Sequence, residues 1–289
     1  MKQDFDLHTH TDASDGSLPP SALIEKARSE GVRFIGITDH DTVKGIDEAV
    51  SAGRKFDVEV VPGVEISVDF SPGTMHLCGY LIDAGNAVLN NKLLYLQQGR
   101  ARRNEEMIRK LNGLGIDISI EDVKAEAGKE ELGRPHLASV MVKKGFACDM
   151  EEAFSKYLAK EASCYVDRIR LTLEESLEVI RGSGGIVVLA HPAQLKLAGE
   201  KDYRSTFFRL KDMGISGIEA YSSCHSEAEN RMFKNLADEA DMLVTGGSDF
   251  HGDIKPDVEL GVFGDVVDID SDELFKKMKY TAAIRRRRR

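Results

Sequence analysis

The sequence predicts an α/β fold with a parallel sheet interrupted by an all-helical insertion, and three observations predict it. Short apolar runs of strand length alternate with helix-length amphipathic segments over residues 1–85 and again over 167–284. Between 86 and 166 that alternation stops and helical periods dominate. The apolar runs also tend to end in His, Asp or Glu, and in parallel α/β architectures sites gather at the C-terminal ends of strands.

The first run is Asp6-Leu7-His8-Thr9-His10, continuing into Thr11-Asp12-Ala13-Ser14-Asp15-Gly16. Side chains alternate along a strand, so the His-x-His pair points both imidazoles to one face. Residues 19–27 then open a helix with prolines where its first turn tolerates them, and Gly31 ends it. Phe34-Ile35-Gly36-Ile37 is a buried-strand pattern that breaks into Thr38-Asp39-His40-Asp41, and a helix is predicted over 43–53. The run at 60–67 encloses one carboxylate, Glu65, and a buried Glu must be paired or bound to metal. Met75-His76-Leu77-Cys78-Gly79-Tyr80 follows.

Within the insertion, helices are predicted over 89–114, 120–127, 136–144 and 151–158. The strand–helix rhythm returns with helices at 173–182, 207–213 and 227–240. Between them lie the strand ending Leu189-Ala190-His191-Pro192, the strand Gly217-Ile218-Glu219-Ala220, and the strand ending Gly247-Ser248-Asp249-Phe250-His251.

A chain of 289 residues suffices for one barrel-sized domain plus a modest insertion. Its formal net charge of −10 argues against a broad, non-specific nucleic-acid surface. No apolar run approaches the roughly 18 residues of a membrane span, and the first residues run straight into a strand. Neither a membrane anchor nor a signal peptide is therefore expected, and the expected location is cytoplasmic. Cys78, Cys148, Cys164 and Cys224 are scattered without a Cys-x-x-Cys pair and read as reduced thiols. The five arginines of 285–289 read as a disordered, solvated basic tail without aromatic residues for base stacking.

Six of the eight histidines and three acidic residues lie in these strand-end segments. Imidazoles and carboxylates without thiolates suit Mn²⁺, Fe²⁺ or Zn²⁺. The set His8-Thr9-His10, Asp15-Gly16, Thr38-Asp39-His40-Asp41, Gly63-Val64-Glu65, His76, Ala190-His191-Pro192 and Gly247-Ser248-Asp249-Phe250-His251 resembles the polymerase and histidinol phosphatase (PHP) superfamily of metal-dependent phosphoesterases. Order and spacing are most similar to its stand-alone bacterial branch, which acts on nucleoside 3′,5′-bisphosphates and on the 5′ ends of short RNAs. The resemblance implies a distorted (β/α)7 PHP barrel over 1–85 and 167–284, with 86–166 as a helical cap.

It also implies three divalent ions, Mn²⁺ first among the candidates. His8, His10, Glu65 and Asp249 would hold the first, and Glu65, His76 and His191 the second, with Glu65 bridging. Asp15, His40 and His251 would hold the third. Glu65, Asp249, His191 and His40 carry the expected catalytic roles. Two ions held roughly 3.5–4 Å apart lower the pKa of a shared water and clamp the phosphoryl oxygens, so a metal-bridging hydroxide is the expected nucleophile. No Ser-His-Asp or Cys-His pattern suggests a covalent intermediate.

For substrate binding the sequence offers Arg100, Arg102 and Arg103 on the long helix, Arg134 and His136 in Gly133-Arg134-Pro135-His136, and His225 after a strand. Arg forks match phosphate oxygens, and a helix N-terminus favours an anion. The branch has a similar Gly-Arg-Pro-His segment beside the bound phosphate. The expected substrate is a nucleotide or short 5′-phosphorylated RNA, with no stable protein partner. Another phosphate ester, such as histidinol phosphate or phosphotyrosine, is the alternative for the same metal site. A non-catalytic PHP scaffold is the third reading, and the full ligand set argues against it.

Overall fold

The computed structural model of the protein describes residues 2–127 and 132–287. The chain folds into two units, Met1–Leu93 with Leu171–Arg289, and Leu94–Arg170.

The first unit opens with β1 (Phe5–Thr9), α1 (Pro20–Ser29), β2 (Phe34–Ile37), α2 (Ile46–Phe56), β3 (Glu59–Val68) and β4 (Met75–Tyr80). α3 (Ala87–Gly113) leaves it for the second unit, made with α4 (Ile120–Ala127), α5 (Arg134–Lys143) and α6 (Met150–Ala153), which runs on into a π-helical turn, Phe154–Leu158. The barrel resumes with α7 (Leu173–Gly182), β5 (Ile186–Leu189), α8 (Glu200–Asp212), β6 (Gly217–Ser222), α9 (Glu227–Glu239), β7 (Leu243–Gly247) and α10 (Ser271–Arg287).

The strands form one seven-stranded sheet in the order β1 to β7. A parallel bridge between Thr9 and Phe250 brings its two edges together, so the sheet closes nearly into a barrel. β1, β2 and β3 are parallel, as are β5, β6 and β7. β4 runs antiparallel to both neighbours, which makes the sheet mixed rather than the parallel one expected. The reason is the connection: residues 69–74 join β3 to β4, far too short for the crossover of a dozen or more residues that parallel strands need.

Two glycines let β1 sit tightly between its neighbours. A Cβ on Gly36 of β2 would lie 2.1 Å from the Leu7 carbonyl oxygen, and one on Gly247 of β7 would lie 2.3 Å from the His8 Cβ. Side chains at either position would push the His-x-His strand out of place.

The helical unit has its own core, with Met107, Leu111, Val123, Leu137, Met141 and Leu158 buried together. Separately, residues 285–287 are the last turn of α10 and not the disordered tail expected of them; 288 and 289 lie outside the described residues. Arg285 Nη2 donates to the Gly214 carbonyl, and Arg286 donates to Gly184 O at 3.2 Å and Leu81 O at 2.8 Å. Gly184 and Gly214 stand just past the C-termini of α7 and α8. The negative ends of two helices thus offset the repulsion that would keep such a run extended. Deleting 285–289 is expected to cost about 1 kcal/mol and lower Tm by roughly 2–4 °C, read by thermal melting; an unchanged Tm would show the docked arginines to be neutral.

Candidate metal centre

Glu65, in the middle of β3, is fully buried, and its carboxylate meets five imidazoles. Oε1 lies 2.8 Å from His76 Nδ1 and 3.0 Å from His191 Nε2. Oε2 lies 3.3 Å from His8 Nε2, 3.3 Å from His10 Nε2 and 3.0 Å from His40 Nδ1. The rings form a closed circuit around it. Centroids are 5.2 Å apart for His8–His10, 4.7 Å for His10–His40, 5.3 Å for His40–His76, 5.1 Å for His76–His191 and 5.4 Å for His191–His8.

Two further carboxylates flank the circuit. Asp249 Oδ1 is 3.2 Å from His10 Nε2, 3.6 Å from His8 Nε2 and 3.6 Å from His251 Nδ1. Asp15, the most exposed donor, is 3.6 Å from His10 Nδ1, 3.5 Å from His251 Nε2 and 3.9 Å from His40 Nε2. His251 stacks on His10 at 4.1 Å. His10 therefore faces Glu65 and Asp249 through one nitrogen and Asp15 through the other.

The fold brings these donors together from strand ends. His8 and His10 project from β1 and the residue after it, His40 follows β2 and bridges to Glu65, and His191, Asp249 and His251 follow β5 and β7. His76 comes from the start of its strand. Because β4 is antiparallel, with His76 opposite Ser67, that start is level with the C-terminal end of β3. His191 (φ 24°) and Asp249 (φ 57°) occupy positive-φ backbone conformations uncommon for residues other than glycine. Such strain persists where surrounding structure enforces it, commonly at functional sites.

The donor set fits a divalent cation. His8 Nε2, both nitrogens of His10, His40 Nδ1, Glu65 Oε2 and His191 Nδ1 are buried without a hydrogen bond. His8 Nε2, both nitrogens of His10 and His40 Nδ1 face carboxylate oxygens at 3.0–3.6 Å without an aligned hydrogen bond, a costly arrangement unless something bridges them. Among the described residues four groups each place one donor atom per residue within 4.8 Å of one another: His8, His10, Glu65 and Asp249; His10, Asp15, His40 and His251; His40, Glu65 and His76; and His8, Cys78 and Glu219. The second and third take in His10 and His40 beyond the ligands the resemblance implies there, and His191 reaches the third through Glu65 Oε1.

Charge follows the same geometry. Burial alone would push Glu65 up, but the surrounding His40, His76 and His8 hold it well below the usual carboxylate range. Asp249 and Asp15 are held low in the same way, chiefly by His10 and by His40 respectively, against their own burial. Burial works against a charge on His10, yet Asp249 and Glu65 hold it up to about 10. His76, where burial prevails, is pushed down to about 4.

Several supporting residues were not singled out from the sequence. Asp39 accepts from Thr11 N at 2.7 Å, Thr11 Oγ1 at 2.7 Å and Ser14 Oγ at 2.6 Å, knotting the loop that carries Asp15. Asp6, raised to about 6 by burial, accepts from Ser248 and Gly261 and anchors the loop before Asp249. Lys255 Nζ lies 2.6 Å from Asp249 Oδ2. Glu219 of β6 is fully buried against His8. The signal that marked Glu65, an acid inside an apolar strand, also marks Glu219 and Asp6.

The substrate candidates of the helical unit have neighbours there. Arg134, at the start of α5, donates to Leu158 O at 3.2 Å and lies 5.8 Å from the Phe154 ring and 5.7 Å from the Tyr165 ring. His136 Nδ1 accepts from Gly133 N at 3.1 Å, and Arg103 donates to Val166 O at 2.9 Å. Burial and the nearby Arg134, Arg168 and Arg100 lower Arg103 to about 10. Arg102 is exposed. In the barrel unit, His225 turns Nδ1 toward Ala220 O and Asn230 Oδ1 and accepts from Ala193 N at Nε2, so both nitrogens face barrel partners.

A near-closed barrel whose strand ends converge six imidazoles and three carboxylates has the donor set of a metal-dependent hydrolase. The chain belongs to the PHP domain family, whose model matches residues 6–204. It is 32% identical over 268 residues to the 5′-3′ exoribonuclease of Haemophilus influenzae, covering 93% of this chain and 97% of that protein. It is likewise 32% identical over 248 residues to the 3′,5′-nucleoside bisphosphate phosphatase of Chromobacterium violaceum, 86% of this chain and 87% of that one. A solved structure from C. violaceum, described as an amidohydrolase with bound sulfate and no metal, superposes with a TM-score of 0.82 at 28% identity, covering 96% and 97% of the two chains. Among the described residues no helix is long and apolar enough to cross a membrane.

Proposed function

We propose that the protein is a cytoplasmic phosphoesterase that removes the 3′-phosphate of nucleoside 3′,5′-bisphosphates, or trims 5′-phosphorylated short RNA, using three divalent ions, with Mn²⁺ the first candidate. The observation that carries the reading is the buried carboxylate of Glu65 shared by five imidazoles, with Asp249 and Asp15 on its flanks. His8, His10, Glu65 and Asp249 hold one ion in this reading; Glu65, His76 and His191 a second; Asp15, His40 and His251 a third. Bound there, such ions supply an activated water and neutralise charge on the phosphoryl oxygens.

The protein's own groups do the rest. Glu65, Asp249, His191 and His40 set the geometry of the reacting centre in this reading. Arg100, Arg103 and Arg134, whose charges crowd one another and Arg168, are the phosphate-binding groups of this reading, with Arg102 and His136 beside them. Burial and the like charges of Arg134, Arg168 and Arg100 around Arg103 favour an anionic ligand. The names of the H. influenzae and C. violaceum relatives support a nucleotide or RNA substrate, and the sulfate in the solved C. violaceum structure is an oxyanion of phosphate shape.

The test is phosphate release by Mn²⁺-loaded protein from a nucleoside 3′,5′-bisphosphate, run beside a 5′-monophosphate and a chelated control. Metal-dependent release favouring the bisphosphate is expected. Release from neither nucleotide, with metal confirmed bound, would overturn the substrate class and shift the reading to a non-nucleotide phosphate ester.

A further inference from the structure

We infer that Glu219 is a positioning residue that holds His8 in the tautomer able to bind a metal and ties it to the segment carrying His191. The inference rests on His8 being a metal ligand as proposed above.

Glu219 lies on β6, fully buried, and its two oxygens do different work. Oε2 is 2.7 Å from His8 Nδ1. Oε1 accepts from the backbone N–H of His191 at 3.3 Å. A carboxylate only accepts, so Nδ1 of His8 must carry the proton, which leaves a lone pair on Nε2. Nε2 is the nitrogen that faces Glu65 and Asp249. A histidine ligand whose far nitrogen donates to a carboxylate has its ring orientation and tautomer fixed.

The His191 contact makes this testable with one isosteric change. In Glu219→Gln the backbone N–H of His191 is a donor that cannot reverse, so it selects the side-chain oxygen of Gln. The amide NH₂ then faces His8 Nδ1, which has to accept. The imidazole proton moves to Nε2, where it opposes any cation. Cys78 Sγ, 3.9 Å from His8 Nδ1, is only a weak acceptor and a poor substitute for the carboxylate at 2.7 Å.

Glu219→Asp separates this role from packing. Asp keeps an acceptor-only carboxylate but leaves a gap; Gln fills the space but reverses the hydrogen bond. Positioning through the tautomer orders metal affinity as wild type, then Asp, then Gln. Packing alone orders it as wild type, then Gln, then Asp.

The experiment is calorimetric titration of metal-stripped wild type and both variants with Mn²⁺, with metal content measured after dialysis. Glu219→Gln is expected to bind roughly 10–100-fold more weakly at one or more sites, with Asp between. Wild-type affinity in the Gln variant, or Gln binding more tightly than Asp, overturns the inference while leaving the metal centre standing. If Gln does not fold, Asp alone decides: retained Mn²⁺ binding supports the positioning role and lost binding refutes it. A wild type that takes up no Mn²⁺ sinks the metal centre itself, and this inference with it.

Discussion

Glu65→Gln is expected to abolish phosphoesterase activity and strip the centre of at least two ions, the largest effect of any single substitution in this chain. Five imidazoles surround that carboxylate at 2.8–3.3 Å. An amide of the same shape keeps the volume but removes the negative charge, and it turns one of the two acceptor oxygens into a donor. That donor would face either His76 and His191 or His8, His10 and His40. Changing a residue that merely orients a ligand costs roughly 10–100-fold in metal affinity, and loss of a shared ligand should exceed that. Metal analysis and phosphate release on the purified variant check the expectation. Full metal content with undiminished activity would remove Glu65 from the centre.

Chelation should be nearly as severe, and its pH dependence has a defined sign. With free metal at about 100 times Kd, binding to the native state contributes about 2.7 kcal/mol per site, so removing one such ion should lower Tm by roughly 5–10 °C. Metal binds bare imidazole nitrogens and carboxylates, so protons compete with it. His10, held up to about 10, and His8, also raised, carry protons at neutral pH until a cation displaces them. His76, pushed down to about 4, is already bare there and releases none. Metal uptake at pH 7.5 should therefore expel protons, and apparent affinity should rise with pH until His10 has titrated. Calorimetry in two buffers of different ionisation enthalpy reads this directly. A binding heat identical in both would contradict the proton displacement.

Much of the candidate centre was legible because its donors carry a local signature. A His-x-His pair on an apolar strand and a lone carboxylate inside one are each improbable as core residues. The arginines of 285–287 misled for a local reason too. Read alone, five like charges repel and stay solvated; the carbonyls of Gly214, Gly184 and Leu81 hold Arg285 and Arg286 in the end of a helix.

By itself the sequence determined which groups are available for chemistry, the alternation of strands and helices that lines most of them up at strand ends, and the long helical interruption after residue 85. These depend on side-chain type and on periods of two and 3.6 residues, which neighbouring positions encode. Only the tertiary structure decided that β4 reverses and so brings His76 to the Glu65 carboxylate, that one glutamate meets five imidazoles, and that Glu219 reaches His8 across 211 positions of chain. Register, barrel closure and the partner of a buried acid are set by contacts between distant segments, and no local pattern records which strand will lie against which.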